Sequence, residues 1–158
     1  MFKVGDKVVY PMHGAGVIEA IEEKEVLGSK HTYYVMRLPI GDLKVMIPTD
    51  NVKEIGIREV ISDDMVDEVF EVLRGDRTKM SSNWNKRYRA NLDKIRRGDI
   101  FEVAEVVRDL SIRDREKGLS SGERKMLDNA RQILVSELVL ATDSDQESVS
   151  AEIEEALQ

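Results

Sequence analysis

The sequence contains no cysteine and only three prolines, and aromatic residues make up 5% of it. Without cysteine the chain has neither disulfide bonds nor thiolate metal sites, as is usual for proteins of a reducing cytoplasm. No apolar run approaches the roughly 18 residues that a membrane-spanning helix needs. The first residues enter turn-and-strand chemistry without a signal-peptide core. We therefore expect a cytoplasmic protein that does not bind membranes.

Residues suited to catalysis or metal binding are equally scarce. The histidines His13 and His31 fall in predicted β turns with no acidic ligand at metal-binding spacing, so we expect both on the surface. Gly28-Ser29-Lys30 is similar to the end of a phosphate loop, but Glu23 stands where that loop needs its first glycine. We therefore expect no enzymatic activity, no metal, no cofactor and no small-molecule substrate.

The net charge of −7 is unevenly distributed along the chain. Residues 141–158 carry six acidic side chains and no lysine or arginine, and residues 62–73 carry five acidic side chains and no base. Residues 74–97 carry nine basic and two acidic side chains, a local charge of +7. Such a concentrated basic segment can bind phosphate groups even in a protein that is acidic overall.

The first part of the chain, residues 1–58, is predicted to form a small β domain, either a twisted barrel or an SH3-like sheet. Its β-branched and aromatic runs are short and are separated by turn residues. The runs are Val8-Val9-Tyr10, residues 17–21, residues 33–38 and residues 43–47, and the predicted turns are Gly14-Ala15-Gly16, residues 27–30 and Gly41-Asp42.

The last predicted strand alternates in a way that suits the edge of a sheet. Leu43, Val45 and Ile47 are expected to point inward, while Lys44 and Met46 point outward. Pro48 then ends the strand, as proline does at sheet edges. Met46 beside an open edge could mark a partner site, and the simpler interpretation is a single apolar residue on the surface.

From Ser62 onward the apolar spacing becomes helical, and the pattern predicts a compact all-helical domain over residues 62–141. A helix between Ser62 and Gly75 is followed by a polar loop and a second helix over residues 83–97. Capping boxes at Asp99 and Ser120 begin a third and a long fourth helix. The acidic residues 142–158 are predicted to form a weak helix or a frayed tail, which makes about five helices in all.

The second predicted helix holds the only tryptophan. Its apolar stripe consists of Trp84, Tyr88, Leu92 and Ile95, and its opposite and flanking sides carry Lys86, Arg89, Lys94 and Arg97. This periodicity alone favours a core position for Trp84. Its place in the first turn, between Asn83 and Asn85 and close to several bases, also suits an aromatic wedge for the minor groove of DNA.

Several motifs together resemble the CarD/CdnL family of bacterial transcription regulators. They follow in order along nearly the whole chain and without large gaps. They are residues 2–11 (FKVGDKVVYP) with Gly14, residues 83–89 (NWNKRYR), residues 104–110 (AEVVRDL), Gly118-Leu119-Ser120 and residues 122–127 (GERKML).

The resemblance implies a Tudor-like N-terminal domain that binds the β subunit of RNA polymerase, and a helical domain that binds promoter DNA. In the family, the tryptophan is thought to enter the minor groove at the upstream edge of the −10 bubble and stabilise the open complex. Carried over by position, Trp84 is the wedge, and the bases expected to contact the DNA backbone are Lys86, Arg87, Arg89, Arg97, Arg124 and Lys125. The polymerase-facing positions are Lys24, Lys44, Met46 and Pro48.

Some relatives carry arginine at the position of Met46, which implies more apolar contact and edge pairing here. The family also implies a monomer associated with the nucleoid, with weak sequence preference. Two alternatives remain at this point. One is a regulator that binds DNA alone through a helix-turn-helix in residues 99–141, and the other is a protein adaptor that does not bind DNA.

Overall fold

The computed structural model describes all 158 residues. Five strands and one short helix come first: β1 (Lys7–Tyr10), β2 (Gly14–Val26), β3 (Ser29–Leu38), β4 (Leu43–Pro48), α1 (Val52–Ile55) and β5 (Arg58–Glu59). Five helices follow: α2 (Val66–Arg74), α3 (Trp84–Arg97), α4 (Ile100–Lys117), α5 (Ser121–Thr142) and α6 (Gln146–Leu157). The predicted α+β class, a small β domain (β1–β5) before a helical domain (α2–α6), is confirmed.

The five strands form one antiparallel sheet in the order β4-β3-β2-β1-β5. Strand β4 pairs only with β3, so its other edge is open, as the terminal Pro48 indicated. The predicted turn at residues 14–16 is wrong, because the chain already turns at residues 11–13 and Gly14 begins β2. Gly14 has a φ of 113°, and a Cβ atom there would lie 2.8 Å from the hydroxyl of Ser136, so the position requires glycine.

Strands β2 and β3 are longer than the apolar runs predicted, because they extend past the sheet as a two-stranded arm. Pairing with β4 stops at Tyr33, whereas β2 and β3 stay paired out to Val26 and Ser29. The charged residues 22–25 are exposed on this arm and have the polar composition of a loop. The tip turns at Leu27 and Gly28, both at positive φ, as the sequence indicated.

The sheet and the helices have separate apolar cores. Seven buried residues form the core of the β domain: Val8, Ile18, Tyr34, Met36, Leu38, Ile47 and Ile57. Met46 and Lys44 are exposed, as predicted. Leu43, which was predicted to point inward, is instead 52% exposed, because it lies at the start of the edge strand beyond the packed centre of the sheet.

The core of the helical domain contains 22 buried residues drawn from all five helices. Two helices start at the predicted caps: the side chains of Asp99 and Ser120 accept hydrogen bonds from the backbone of the first turn. Asn83 caps α3 in the same way. Ser62 begins only a short 3-10 turn before α2 and makes no side-chain cap. No helix combines the length and hydropathy that crossing a bilayer requires.

The C-terminal residues form a packed helix, and the alternative of a frayed tail is wrong. In α6, Val149, Ile153, Ala156 and Leu157 are buried in the helical core. Asp145 caps its first turn through a 2.6 Å bond from the backbone N–H of Ser148. The sequence did not clearly predict this helix because its composition is mainly acidic and its few apolar residues lie on one face only.

Helix α5 joins the two domains. It packs against β2, and the hydroxyl of Ser136 accepts a 2.8 Å hydrogen bond from the backbone N–H of Ala15. The ammonium of Lys7 donates to the backbone carbonyl of Leu140 and to the carboxylate of Asp143, each at 2.9 Å. The sheet is therefore fixed to the helices by directional polar contacts as well as by packing.

Candidate functional site

Trp84 is the first residue of α3, and its side chain is 41% exposed. The indole Nε1–H donates a 2.9 Å hydrogen bond to the hydroxyl of Ser120, the residue that caps α5. One face of the indole stacks on Tyr88, with ring centroids 4.8 Å apart and planes inclined by 16°. Trp84 is therefore not a core residue, although the helical periodicity alone favoured a core position. Its aromatic ring is held in place and is partly open to solvent.

The first turn of α5 lies directly beneath this ring. A Cβ atom at Gly122 would lie 3.4 Å from Cζ2 of Trp84 and 3.7 Å from Cε2 of Tyr88. This stretch of α5 therefore lies at packing distance from the aromatic pair. Because the ring is held by Ser120, by Tyr88 and by this backbone, its exposed edge has a defined direction.

A buried ion pair holds the same two helix ends together. The guanidinium of Arg87 donates to the carboxylate of Glu123 at 2.7 and 3.2 Å, and both side chains are at most 3% exposed. The hydrogen bonds from Arg87 lower the pKa of Glu123, and those to Glu123 raise the pKa of Arg87. Arg87 also donates to the carbonyl of Ser81, so it secures the loop before α3.

This ion pair corrects the expectation that Arg87 contacts the DNA backbone. A guanidinium that is buried and already bonded to a carboxylate is not available to a phosphate. Arg87 instead joins the first turn of α3, which begins at Trp84, to the first turn of α5 through Glu123. Periodicity missed this role because the partner, Glu123, lies 36 residues further along the chain.

The remaining predicted DNA-binding bases fall into two groups. Lys86 and Arg89 on α3 and Arg124 and Lys125 on α5 are exposed within the first two turns of the joined helix ends. Arg124 pairs with Asp114 at 2.7 Å. Arg97 lies at the other end of α3, about 20 Å from Trp84 along the axis, and pairs with Glu102 at 2.6 Å. Four of these bases therefore lie in the first two turns of α3 or α5, the helix ends that meet at Trp84, whereas Arg97 lies at the far end of α3.

The predicted polymerase-facing residues lie in the β domain. Met46, 38% exposed, and Pro48 lie on the open-edged strand β4. Lys44, also on β4, pairs with Glu19 at 2.9 Å across the sheet, and Glu19 also accepts a 2.8 Å bond from Arg37. These two bonds, first that from Arg37, lower the pKa of Glu19. Lys24 lies on the exposed arm, opposite His31 in the ladder and beyond the end of β4.

The arrangement around Trp84 is suited to binding. No three histidine, acidic or cysteine side chains lie together as metal ligands. A planar apolar ring can stack on or between bases, and nearby cations can bind phosphates. Sequence reasoning identified Ser120 and Glu123 only as a capping box; it could not show that both also support Trp84.

Comparisons with known proteins cover both parts of the chain. The family model described as "CarD-like/TRCF RID domain" matches residues 2–61, and "CarD, C-terminal domain" matches residues 68–154. The chain is 48% identical over 138 residues to the Bacillus subtilis (strain 168) protein "Putative transcription factor YdeB". The aligned region covers 87% of this chain and 90% of that protein. The solution structure of the 72-residue N-terminal domain of Myxococcus xanthus CarD is 42% identical, covers 37% of this chain and 79% of that one, and has a TM-score of 0.33.

Proposed function

Because the chain belongs to the CarD family of transcription factors, we propose that it regulates transcription by binding bacterial RNA polymerase and promoter DNA together. Its β domain binds the β subunit of the polymerase. Its helical domain binds promoter DNA at the upstream edge of the −10 bubble, where it stabilises the open complex. The protein is a cytoplasmic, nucleoid-associated monomer and has no enzymatic activity.

The exposed indole of Trp84 is the observation that carries this proposal. Large aromatic side chains are usually buried, and a buried position is what the periodicity of α3 favours. Here Ser120, Tyr88 and Gly122 hold the ring at the surface instead. A ring inserted at a distorted base step does not lose its own orientational freedom on binding, because the protein has already fixed it.

The wedge acts by binding the melted promoter better than the closed duplex. A ligand shifts an equilibrium only by its difference in affinity for the two states. Each 1.4 kcal/mol of that difference raises the population of the open complex about tenfold while it remains the minor state. The unpaired and distorted step at the edge of a bubble is where a stacking ring gains most.

Attachment through the β domain allows the DNA contacts themselves to be weak. The open edge of β4, with Met46 exposed beside it, can accept a strand or an apolar side chain of the polymerase. Once attached, the helical domain meets the promoter at a high effective concentration. The net charge of −7 disfavours binding to bulk DNA, so the position on the promoter depends on the polymerase.

The helix-turn-helix alternative has less support from the geometry. A recognition helix presents its first turn to the base edges of the major groove. In α5 that turn is partly covered, because Gly122 lies against Trp84 and Tyr88. The adaptor alternative predicts that loss of the indole leaves DNA association unchanged.

The lifetime of the open complex on a defined promoter tests the proposal. With RNA polymerase, the wild-type protein should prolong this lifetime, whereas Trp84→Ala should not; Trp84→Phe should retain part of the effect because it keeps a planar ring. Thermal melting of each variant confirms that it is folded. A folded Trp84→Ala protein that prolongs the lifetime as much as the wild type would refute the wedge.

A further inference from the structure

A second basic feature lies beside the Trp84 site, in a cavity of about 190 Å³ at the C-terminal end of α4. Four bases line it, Arg77 and Lys79 from the loop before α3 and Arg113 and Lys117 from α4, together with one acid, Glu116. The excess of positive charge in one small concave space is a feature of oxyanion sites. We call this cavity the α4 pocket.

Three of the four bases have no carboxylate partner. Arg77 pairs with Glu116, whereas Lys79 and Lys117 are exposed and form no ion pair. Arg113 is half-buried, makes no side-chain hydrogen bond, and its Nε atom is buried without an acceptor. Its charge helps to lower the pKa of Glu123, but that carboxylate is already bonded to Arg87. A guanidinium without a partner can bind the paired oxygens of a phosphate.

The loop that forms one wall of the pocket is fixed in place. The backbone N–H of Thr78 donates a 3.1 Å hydrogen bond to the carboxylate of Asp109. The side-chain hydroxyl of Thr78 accepts a 2.9 Å hydrogen bond from the guanidinium of Arg108. At the other end of the loop, Arg87 donates to the carbonyl of Ser81 at 3.2 Å. The cations on this loop are therefore presented on an ordered backbone, which lowers the entropy that a ligand must remove.

The size of the pocket limits the ligand to a small group. Its volume of about 190 Å³ is below the roughly 300–1,000 Å³ that is usual for sites that enclose drug-sized molecules. A single phosphate group therefore suits the pocket better than a whole nucleotide does.

Residues from both walls of the pocket are close in sequence to Ser120 and Trp84. Lys117 is three residues before Ser120, and Lys79 is five residues before Trp84. Their Cα atoms can be at most about 11 and 18 Å from those two residues. Successive phosphates of one DNA strand are about 3.4 Å apart along the helix axis. The pocket thus lies within a few phosphates of the step that Trp84 would contact.

We propose that the α4 pocket binds one backbone phosphate of the DNA strand next to the Trp84 step, with Lys79, Arg113 and Lys117 as its cations. This proposal rests on the proposed function and extends the DNA interface beyond the residues that family resemblance assigns. The phosphate fixes how far the indole can slide along the strand, because two separated contacts define a register.

The salt dependence of DNA binding tests the pocket. Quenching of Trp84 fluorescence, the only tryptophan in the chain, reports binding of the full-length protein to a forked promoter fragment between about 50 and 200 mM NaCl. Lys79→Gln/Lys117→Gln should weaken binding several-fold at low salt. It should also lower the slope of log K against log [salt] by about 0.9 for duplex, or about 0.7 for single-stranded DNA, the value for one phosphate.

A matched control removes two charges elsewhere. Lys3→Gln/Lys53→Gln removes the same number of positive charges from exposed lysines of the β domain. It should leave the slope of log K against log [salt] unchanged. If the pocket variant keeps the wild-type slope while the wild type binds DNA and is quenched, the pocket proposal is wrong and the wedge stands. If the wild type does not bind the fork at all, with or without polymerase, both proposals fail.

A second titration separates DNA from a free anion. Inorganic phosphate is added to the labelled protein while the backbone amide signals of residues 78–80 are followed by NMR. Weak or absent shifts at millimolar phosphate, together with the reduced DNA slope, support a backbone phosphate. Saturation at submillimolar phosphate with an unchanged DNA slope would instead identify a free anion as the occupant and overturn the assignment to DNA.

Discussion

The guanidinium of Arg58 in the sheet binds the carboxylate of Glu137 in α5 through two parallel hydrogen bonds of 2.8 and 2.7 Å. Glu137 is almost fully buried, and it also accepts a 2.9 Å bond from the backbone N–H of Ile61. Arg58 in turn donates to the carbonyl of Gly98 at 2.9 Å, between α3 and α4. One side chain of the β domain is thus bonded to two separate parts of the helical domain.

Arg58→Ala should lower the free energy of unfolding by about 3 kcal/mol, because it leaves the carboxylate of Glu137 buried without its cation. This is the low end for buried pairs, since the side chain of Arg58 is 30% exposed and water can enter. Urea denaturation measures the change. Lys30→Ala, which breaks the exposed pair with Glu23, should cost less than about 1 kcal/mol; equal effects of the two variants would contradict the prediction.

Glu123→Gln should make the free energy of unfolding less dependent on pH in the acidic range. Hydrogen bonds from Arg87 hold the folded-state pKa of Glu123 below its usual value. The stabilisation is therefore complete above the unfolded-state pKa of about 4.3 and is lost as the pH falls through the folded-state pKa. At pH 7 the variant should be about 2–3 kcal/mol less stable than the wild type.

Urea midpoints between neutral pH and about pH 2.5 show whether this difference narrows as Glu123 becomes protonated in the wild type. Glu25→Gln removes a carboxylate from the exposed arm, where it has no ion pair, and should leave a small, constant difference. A Glu123→Gln deficit that persists unchanged in acid would show that packing, rather than charge, accounts for the loss.

Ser120→Ala should loosen Trp84 as well as destabilise α5. The hydroxyl caps α5 and accepts the indole N–H, so its loss should cost about 1 kcal/mol and free the ring from one of its supports. Hydrogen exchange at the single indole N–H, followed by NMR, should become several-fold faster. Ser120→Thr retains the hydroxyl and should exchange at nearly the wild-type rate; equally fast exchange in both variants would refute the role of this bond.

Met46→Glu should weaken binding to purified RNA polymerase at least about tenfold, equivalent to 1.4 kcal/mol. The change replaces an apolar side chain beside the open edge of β4 with a charge that must be desolvated in an interface. Titration with fluorescently labelled protein gives the affinity. Val4→Glu introduces the same charge at another exposed apolar residue of the β domain; an equal loss in both would argue against a local site at β4.

Local sequence patterns predicted most of the fold. The exposure of Lys44 and Met46 in β4, the capping residues Asp99 and Ser120, and the apolar stripes of the helices depend on residues close together in sequence. The errors arose where a local pattern was weak. The charged part of the β2–β3 arm has the composition of a loop, and the few apolar residues of α6 were outweighed by its acids.

The candidate site was predictable in its residues and not in its geometry. Trp84 and the nearby bases could be found from composition and resemblance, but Arg87 was grouped with the phosphate-binding bases. Its burial depends on Glu123, and no helical wheel relates residues on two different helices. Ser136 and Glu137 were missed for the same reason, because a polar residue in a helix is read as exposed until the surface that packs on it is known.

The length of helix α5 sets the distance and relative orientation of the Trp84 site and the sheet. Glu123, near the wedge, and Glu137, at the sheet, are separated by about 21 Å along the axis and lie within about 40° of the same side. Inserting one residue between them would move the wedge by about 1.5 Å and rotate it by about 100° relative to the sheet. The spacing between Trp84 and the sheet thus depends on whole turns of one helix. A change in the length of α5 should be tolerated only in helical phase.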